Sequence, residues 1–277
     1  MAEKKVAFNS KNSAPPNAIS PLDKDQINPG FENLHIKLLD FPDEKRFKKS
    51  LSKMVKATIG GDPSETIPDE VGEELFKGGL QTGLEAAVVV FEVSGVSRAC
   101  THQLVRTRKA AFHQQSSRYT FMGKKFNVRM PQTVANSPEA KAKFEAAVEQ
   151  SRQAYNDLVN LDIPYQDCRF IAPVGIETYI ICEYPLKVFL DTFSYRACSM
   201  FQWEIVYVFR KMREELLKVH PWLEQYIKIS CEKTNKCMFQ GWEDTSEQCD
   251  GGTFGGDPFE WADKRIFESE HFKPKEK

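Results

Sequence analysis

A short stretch of the chain carries the side chains whose types and spacing best suit chemistry. Arg106, Arg108, Ser116 and Arg118 all fall within residues 106–118. An arginine guanidinium is a planar fork of fixed N–H donors, which suits bidentate contacts with a phosphate or a uracil-like imide. Serine hydroxyls and loop N–H groups can bond the remaining oxygens. The stretch indicates an anion site, although its spacing equally fits a solvated basic helix end favoured by the macrodipole.

The elements around this stretch must bring its basic residues together. Residues 86–93 (AAVVVFEV) form a β-branched run that predicts a half-buried or central strand. Ser97 is suited to cap a helix over residues 98–109, and residues 112–119 follow neither helical nor strand periodicity. We therefore predict a strand, a helix that ends at the arginines, and a polar loop that carries Ser116 and Arg118.

The remaining periodic segments predict an α+β fold. Strands are predicted over residues 32–40 and 175–181, and helices over residues 44–59, 138–161, 187–199 and 202–220. We expect a single domain over residues 33–230, with a small central sheet flanked by long helices. Residues 1–32 and 231–277 are expected to form a mobile N-terminal arm and a largely irregular C-terminal tail that contains cysteines.

Charge and hydropathy exclude several classes of protein. The 277 residues carry a net charge of -1, so no field spanning the chain would attract nucleic acid or an anionic membrane. The longest apolar run covers residues 86–91, far short of the ~20 residues that cross a bilayer. The N-terminus also lacks the apolar core of a secretion signal. We expect a cytoplasmic protein with neither a membrane nor a nucleic acid as partner.

The seven cysteines do not form a disulfide framework or a recognisable metal motif. Four of them stand singly among apolar residues and are predicted to be buried thiols: Cys100, Cys168, Cys182 and Cys198. Cys231, Cys237 and Cys249 lack a CxxC spacing and would need a fourth ligand to hold zinc. We interpret these three as exposed thiols, with zinc binding as the alternative, and we predict no metal site.

Three segments of the chain resemble segments of a known family. Residues 102–119 (HQLVRTRKAAFHQQSSRY) resemble the signature segment of the flavin-dependent thymidylate synthases, in which two arginines precede a Ser and a further Arg at fixed spacing. Arg196 followed by FQWEI at residues 201–205 is similar to a later family helix, in which an Arg precedes Ala-Gln-Trp-Glu-Ile. Residues 168–173 (CRFIAP) are similar to a turn that offers an Arg to the nucleotide. The segments have the family's order and separations.

The resemblance implies a flavin-dependent thymidylate synthase-like fold and the conversion of dUMP to dTMP. It also implies FAD as cofactor, methylenetetrahydrofolate and NADPH as co-substrates, and a homotetramer whose sites are shared between subunits. The implied substrate-binding residues are Gln103, Arg106, Gln114, Gln115, Ser116, Ser117, Arg118, Arg169 and Arg196. The implied flavin-binding residues are Thr82, Arg106, Thr107, Arg108, Gln114 and Asp191. Arg196 and Ser116 are the implied catalytic residues, with Arg196 favouring ionisation of uracil N3.

This reaction needs a polarised pyrimidine rather than a protein nucleophile, because the methylene goes to uracil C5 and the hydride comes from the flavin. Several residues nevertheless depart from the family pattern, mostly where flavin or folate contacts are implied. They are Gln81, Ala86, Thr107, Ala111, Gln114, Pro185, Leu186, Lys187 and Asp191. Two alternatives remain open: another C5 modification such as hydroxymethylation, or a pyrimidine-nucleotide-binding protein that has lost catalysis.

Overall fold

The computed structural model of the protein describes residues 27–62, 64, 81–120, 122, 126–198 and 200–234. Most of the predicted arm and tail therefore lies outside the described residues, including Cys237 and Cys249. No helix in these ranges is both long and apolar enough to cross a membrane. Within the same ranges, no group of three or more His, Cys, Asp or Glu side chains could hold a metal ion.

The described chain contains both strands and helices, as expected for an α+β fold. The strands are β1 Ile27–Pro29, β2 His35–Asp40, β3 Val88–Ser97, β4 Ala111–Gln114, β5 Val128–Met130 and β6 Glu177–Pro185. The helices are α1 Glu44–Ile59, α2 Arg98–Leu104, α3 Gln132–Ala135, α4 Pro138–Asn160, α5 Tyr165–Cys168, α6 Leu186–Arg196, α7 Trp203–Val219 and α8 Ser230–Thr234. Short 3-10 helices cover Thr82–Ala86, Arg169–Ile171 and Pro221–Leu223.

The strands form two sheets. One has four strands in the order β2-β3-β6-β4, and the other pairs β1 with β5 in parallel, with Ile27 opposite Val128. Residues 27–29, which were predicted to belong to the mobile arm, are thus a strand. The α+β class with a small sheet and long helices is confirmed.

The described residues group into two compact units. The first unit comprises those within residues 1–34, 94–101 and 114–180, and the second comprises those within residues 35–93, 102–113 and 181–277. The sequence patterns predicted a single domain over residues 33–230. Each unit has its own apolar core.

Helix α4 supplies much of the core of the first unit. Ser137 caps it by accepting a hydrogen bond from the Ala140 N–H at 3.4 Å, and Pro138 occupies its first turn. Val148 and Tyr155 from its apolar stripe are buried, and the Tyr155 ring lies 5.5 Å from that of Phe126 at 72°. The cap and the stripe were both readable in the sequence, and the predicted helix is confirmed.

A buried ion pair also lies in the first unit. Arg129 Nη2 lies 2.8 Å from Glu177 Oε1, and both side chains are at most 1% exposed. Asn28 donates to both Glu177 oxygens at 3.0 Å, while the Arg129 guanidinium donates to the carbonyls of Gly30, Glu32 and Gly95. Through the charged pair, these contacts join four separate parts of the chain, at residues 28–32, 95, 129 and 177.

The close approach at this pair requires a glycine at position 95. Gly95 has a φ of 76°, in the left-handed region that residues with a Cβ rarely adopt. A Cβ at this position would lie 2.2 Å from the carbonyl oxygen of Asn33. The bend at Gly95 therefore lets β3 present its carbonyl to Arg129.

Aromatic rings form the core of the second unit. The Phe189 ring of α6 lies 5.5 Å from Phe91 of β3, 5.9 Å from Tyr184 of β6 and 6.3 Å from Phe209 of α7. All four residues are fully buried. The helix predicted over residues 202–220 is confirmed as α7, and its apolar stripe is buried: Ile205, Phe209, Met212 and Leu216.

The structure differs from the sequence prediction immediately after α2. That helix ends at Leu104 rather than continuing to Lys109, which has a φ of 63°. The segment predicted to be a polar loop begins with β4, at the edge of the four-stranded sheet. Phe112 of this strand packs at 5.7 Å against Tyr184, whereas His113 faces outward. Because β4 is an edge strand and its inner face is only partly buried, its apolar and polar residues alternate too weakly for the strand to be recognised from sequence.

The buried thiols are also confirmed. Cys100, Cys168, Cys182 and Cys198 are at most 8% exposed. Burial raises the pKa of the Cys182 thiol to about 12 and also raises that of Cys168. A thiol held in its neutral form is a poor nucleophile and a poor metal ligand.

We predict that His220 makes the stability of the protein depend on pH. Its side chain is buried and meets the Phe41 ring edge-on at 5.0 Å. Burial lowers the pKa of His220, and the carboxylates of Asp43 and Glu44 oppose this only in part. The unfolded chain therefore takes up a proton first as the pH falls below about 6.5, so acidification destabilises the fold in this range.

Thermal unfolding between about pH 7.5 and pH 5.5 tests this prediction. We expect His220→Gln to lose less stability on acidification than the unmodified protein does. His35→Gln is the matched control, because it removes an exposed histidine and leaves the buried His220 in place. An equal dependence on pH in the unmodified protein and in His220→Gln would contradict the prediction.

Candidate functional site

In the first unit, hydrogen bonds hold the start of the predicted loop. Gln114 Nε2 donates to Thr101 Oγ1 at 2.8 Å, so the Gln114 amide is oriented by α2. The backbone of Gln115 donates its N–H to the Tyr179 carbonyl at 2.9 Å. Its carbonyl accepts from Arg98 Nη2 at 2.6 Å. Gln114 and Gln115, two of the three glutamines predicted to bind substrate, are therefore anchored.

A turn follows and presents the next predicted residues. The backbone N–H groups of Tyr119 and Thr120 donate to the Ser116 carbonyl at 3.2 and 3.0 Å, and the Arg118 N–H donates to Ser116 Oγ at 3.3 Å. Arg118 itself is exposed, with its guanidinium carbon 5.4 Å from the centre of the Tyr119 ring. The turn leaves the Arg118 guanidinium available to a ligand from solvent.

Arg169 joins this turn from a distant part of the sequence. Its Nη1 donates to Ser117 Oγ at 3.3 Å across 52 residues, and its Nε donates to the Gln166 carbonyl at 3.0 Å. Two of the segments on which the family resemblance rests, residues 102–119 and 168–173, therefore meet in the fold. This contact supports the prediction that Ser117 and Arg169 serve one ligand.

Arg98 also lies close to Arg169, but it was not among the predicted site residues. Burial lowers the pKa of Arg98, and the nearby positive charge of Arg169 lowers it further. Two guanidiniums held close enough to repel each other favour a bound anion, which offsets the repulsion. The sequence contained one signal, since Arg98 lies shortly before the family-like segment at residues 102–119.

In the second unit, Gln103 is linked to the start of α7. Its Nε2 donates to Gln202 Oε1 at 3.4 Å, and the same oxygen accepts the Ile205 N–H at 3.1 Å as the helix cap. Gln202 is therefore a second residue that the prediction missed, although it belongs to the FQWEI segment. The side-chain oxygen of Gln202 holds the amide nitrogen of Gln103. The amide oxygen of Gln103 can therefore accept a hydrogen bond from a ligand.

The turn after α2 carries the predicted flavin-binding residues Arg106, Thr107 and Arg108. The Arg106 and Thr107 N–H groups donate to the carbonyls of Gln103 and Leu104 at 3.3 and 3.1 Å, and Thr107 is buried. Both arginines are exposed, and neither forms an ion pair with a carboxylate in the described part of the chain. A pair of uncommitted guanidiniums is a donor set that fits a diphosphate such as that of FAD.

Thr82 and Asp191, which are also predicted to bind the flavin, are less distinctive. Thr82 begins the 3-10 helix that precedes β3. Asp191, on α6, is exposed, and both its oxygens accept from Lys187 Nζ at 3.0 and 2.8 Å. Asp191 thus contacts a lysine one helical turn away rather than another predicted site residue. The ion pair partly neutralises a carboxylate that a flavin-binding position would otherwise present.

Arg196 ends α6 and is held by aromatic rings. Its guanidinium carbon lies 5.4 Å from the ring centre of Tyr195 and 5.2 Å from that of Phe201. Its Nε is shielded from solvent and donates to no residue in the described ranges. Arg196 is thus a partly buried cation, and its Nε–H donor is not used by any described residue.

The geometry agrees with comparisons to known proteins. The family Thy1, described as thymidylate synthase complementing protein, matches residues 42–222, which is more than half of the chain. A flavin-dependent thymidylate synthase from Sulfurisphaera tokodaii is 32% identical over 206 residues, covering 72% of this chain and 79% of the relative. Another from Geobacter sulfurreducens is 36% identical over 148 residues, which cover 53% of this chain and 62% of that protein.

Solved structures support the same fold. The UMP/dUMP methylase PolB from Streptomyces cacaoi, bound with 5-Br dUMP, aligns with a TM-score of 0.60 at 17% identity, covering 72% of this chain and 97% of that one. Thymidylate Synthase X from Helicobacter pylori, with FAD and dUMP, aligns with a TM-score of 0.57 at 17% identity, covering 70% and 99%. With the match over residues 42–222, the chain belongs to the thymidylate synthase complementing protein family, that of the flavin-dependent thymidylate synthases.

Proposed function

We propose that this protein is a flavin-dependent thymidylate synthase that converts dUMP to dTMP. Methylenetetrahydrofolate donates the carbon, and FAD reduced by NADPH supplies the hydride when bound. The protein acts in the cytoplasm as a homotetramer. Family membership over residues 42–222 supports the class of reaction.

The contact between Arg169 and Ser117 carries the substrate assignment. It joins two predicted nucleotide-binding residues that are 52 positions apart. The positive charge of Arg98, close to that of Arg169, further favours binding of an anion. A nucleoside monophosphate provides that anion. Arg118 and Ser116 in the adjacent turn add a further guanidinium and a hydroxyl to the donors for its phosphate oxygens.

Arg196 acts on the base. A guanidinium has five N–H donors and no acceptor, so it cannot form a favourable hydrogen bond with a protonated N3. It stabilises the pyrimidine when N3 has lost its proton, and this raises electron density towards C5, where the new carbon is attached. Gln103, held by Gln202, can accept and donate at the edge of the base.

The cysteines support this reaction class over one that uses a thiolate nucleophile. The four buried cysteines lie in apolar surroundings, and the pKa of the Cys182 thiol is raised to about 12. A neutral, buried thiol does not attack a pyrimidine.

Arg106 and Arg108 bind the diphosphate of FAD.

Mass analysis of the product tests the proposed function. Purified protein is incubated with FAD, dUMP, methylenetetrahydrofolate and NADPH, and the product is expected to be dTMP. A hydroxymethyl product, heavier by one oxygen, would instead establish the alternative C5 modification. Binding of dUMP without flavin absorbance and without product would show a nucleotide-binding protein that has lost catalysis.

A further inference from the structure

We propose that Tyr195 and Phe201 are positioning residues that orient the Arg196 guanidinium for its contact with the pyrimidine. This inference rests on the proposed function, since it assumes that Arg196 contacts the base. It adds two aromatic residues that contact neither the substrate nor the cofactor in the predictions above. Their role is to act through Arg196.

The rings and the guanidinium form a compact group in the second unit. The guanidinium carbon lies within 5.4 Å of both ring centres, inside the ~6 Å range of a cation–π contact. The two rings are themselves 5.8 Å apart at an angle of 52°. The cation therefore contacts two π faces that are inclined to each other, which restricts its rotation more than one face would.

The backbone fixes the positions of both rings. Tyr195 lies in the last turn of α6, and its carbonyl accepts the Cys198 N–H at 3.1 Å. The Phe201 N–H donates to the Cys198 carbonyl at 3.0 Å, so the turn between α6 and α7 is closed by consecutive hydrogen bonds. Arg210 Nε, from α7, donates to the Ala197 carbonyl at 3.1 Å and holds the same turn.

An aromatic clamp suits an arginine that must bind a ligand. A carboxylate partner would occupy the N–H donors of the guanidinium and neutralise its charge. Ring faces attract the cation without using any N–H group, so the donors stay available. The Nε of Arg196, shielded and without an acceptor in the described ranges, shows that the side chain is held without hydrogen bonds at that atom.

Phe201 is also a departure from the family segment. The family pattern has Ala immediately before Gln-Trp-Glu-Ile, whereas this chain has a phenylalanine there. The ring adds a contact to Arg196 that an alanine cannot make. The simpler explanation is that Phe201 only fills space in the turn, and the two explanations predict different couplings between Phe201 and Arg196.

A double-mutant cycle distinguishes the two explanations. Phe201→Leu keeps an apolar side chain but removes the π face, and we expect it to weaken dUMP binding about three- to tenfold by calorimetry. Phe201→Tyr, which keeps the ring, should restore the affinity. In an Arg196→Ala background, Phe201→Leu should change the affinity no further, because its effect passes through the arginine.

The relative affinity for 5-fluoro-dUMP gives a second measurement. Fluorine makes N3 more acidic, so a correctly placed guanidinium should favour this analogue over dUMP. We expect Phe201→Leu to reduce this preference, with Phe41→Leu as the matched control. Phe41 packs on Phe47 and His220, and the loss of its ring should lower stability without altering the preference.

The outcomes separate this inference from the proposed function. If Arg196→Ala weakens dUMP binding but Phe201→Leu leaves both affinity and preference unchanged, the positioning role is wrong and the function stands. An equal loss from Phe201→Leu with and without Arg196 would assign the ring to packing alone. If Phe201→Leu does not fold, Tyr195→Leu replaces it in the same cycle. Absence of dUMP binding by the unmodified protein would overturn the proposed function and this inference with it.

Discussion

Arg129→Met is expected to lower the free energy of unfolding by about 3–5 kcal/mol, which is the cost of removing one partner from a buried ion pair. The substitution leaves the buried Glu177 carboxylate without the positive charge that faces it, although the Asn28 amide still donates to it. It also removes the donor from the carbonyls of Gly30, Glu32 and Gly95. Because small domains are stable by only about 5–15 kcal/mol, this loss is a large fraction of the total. Urea unfolding of the purified variant measures it.

The matched comparison uses a surface pair. Lys143 and Glu139 form an exposed i,i+4 ion pair on α4, and Lys143→Met is expected to change stability by less than about 0.5 kcal/mol. The double substitution Arg129→Met/Glu177→Leu should recover part of the loss, since no charge remains unpaired. Equal effects of Arg129→Met and Lys143→Met would show that the buried pair contributes little. If Arg129→Met does not fold, Glu177→Gln provides a milder measurement of the same pair.

The second large effect concerns nucleotide affinity. Arg118→Ala and Arg196→Ala are each expected to weaken dUMP binding by about 1.5–3 kcal/mol, the range for a hydrogen bond to a charged group. This corresponds to about ten- to 150-fold in the dissociation constant. Arg118 is exposed on the turn after β4, and Arg196 has a shielded Nε that donates to none of the described residues. Titration calorimetry with dUMP measures both losses.

Arg46→Ala serves as the control for these variants. Arg46 is an exposed arginine on α1, outside the three segments of the family resemblance, and its removal should leave the dUMP affinity unchanged. Thermal unfolding of all three variants shows whether any loss of affinity comes from a loss of fold. Unchanged affinity in both Arg118→Ala and Arg196→Ala would remove these two residues from the nucleotide site.

Local sequence signals were sufficient to predict where the long helices lie. The observed α1 has the bounds predicted for it, and α4 begins at the predicted residue, Pro138. Helix caps and apolar stripes involve residues only three or four positions apart, so the information needed to recognise them lies within one turn of chain. The sequence motifs also identified the candidate site residues by type. Their spacing within residues 102–119 was enough to name the family, although not to place the side chains.

Long-range contacts were decided only by the tertiary structure. The Asn28–Glu177 hydrogen bond spans 149 positions, and the Arg169–Ser117 bond spans 52. Neither leaves a periodic pattern, because the residues meet only after the chain has turned several times. Strand β4 was missed for the same reason, since its stability comes from pairing within the sheet and from the contact of Phe112 with Tyr184. Sequence alone thus named the residues that are predicted to bind a nucleotide. The tertiary structure decided which partners hold them, because burial and charge proximity depend on the path of the whole chain.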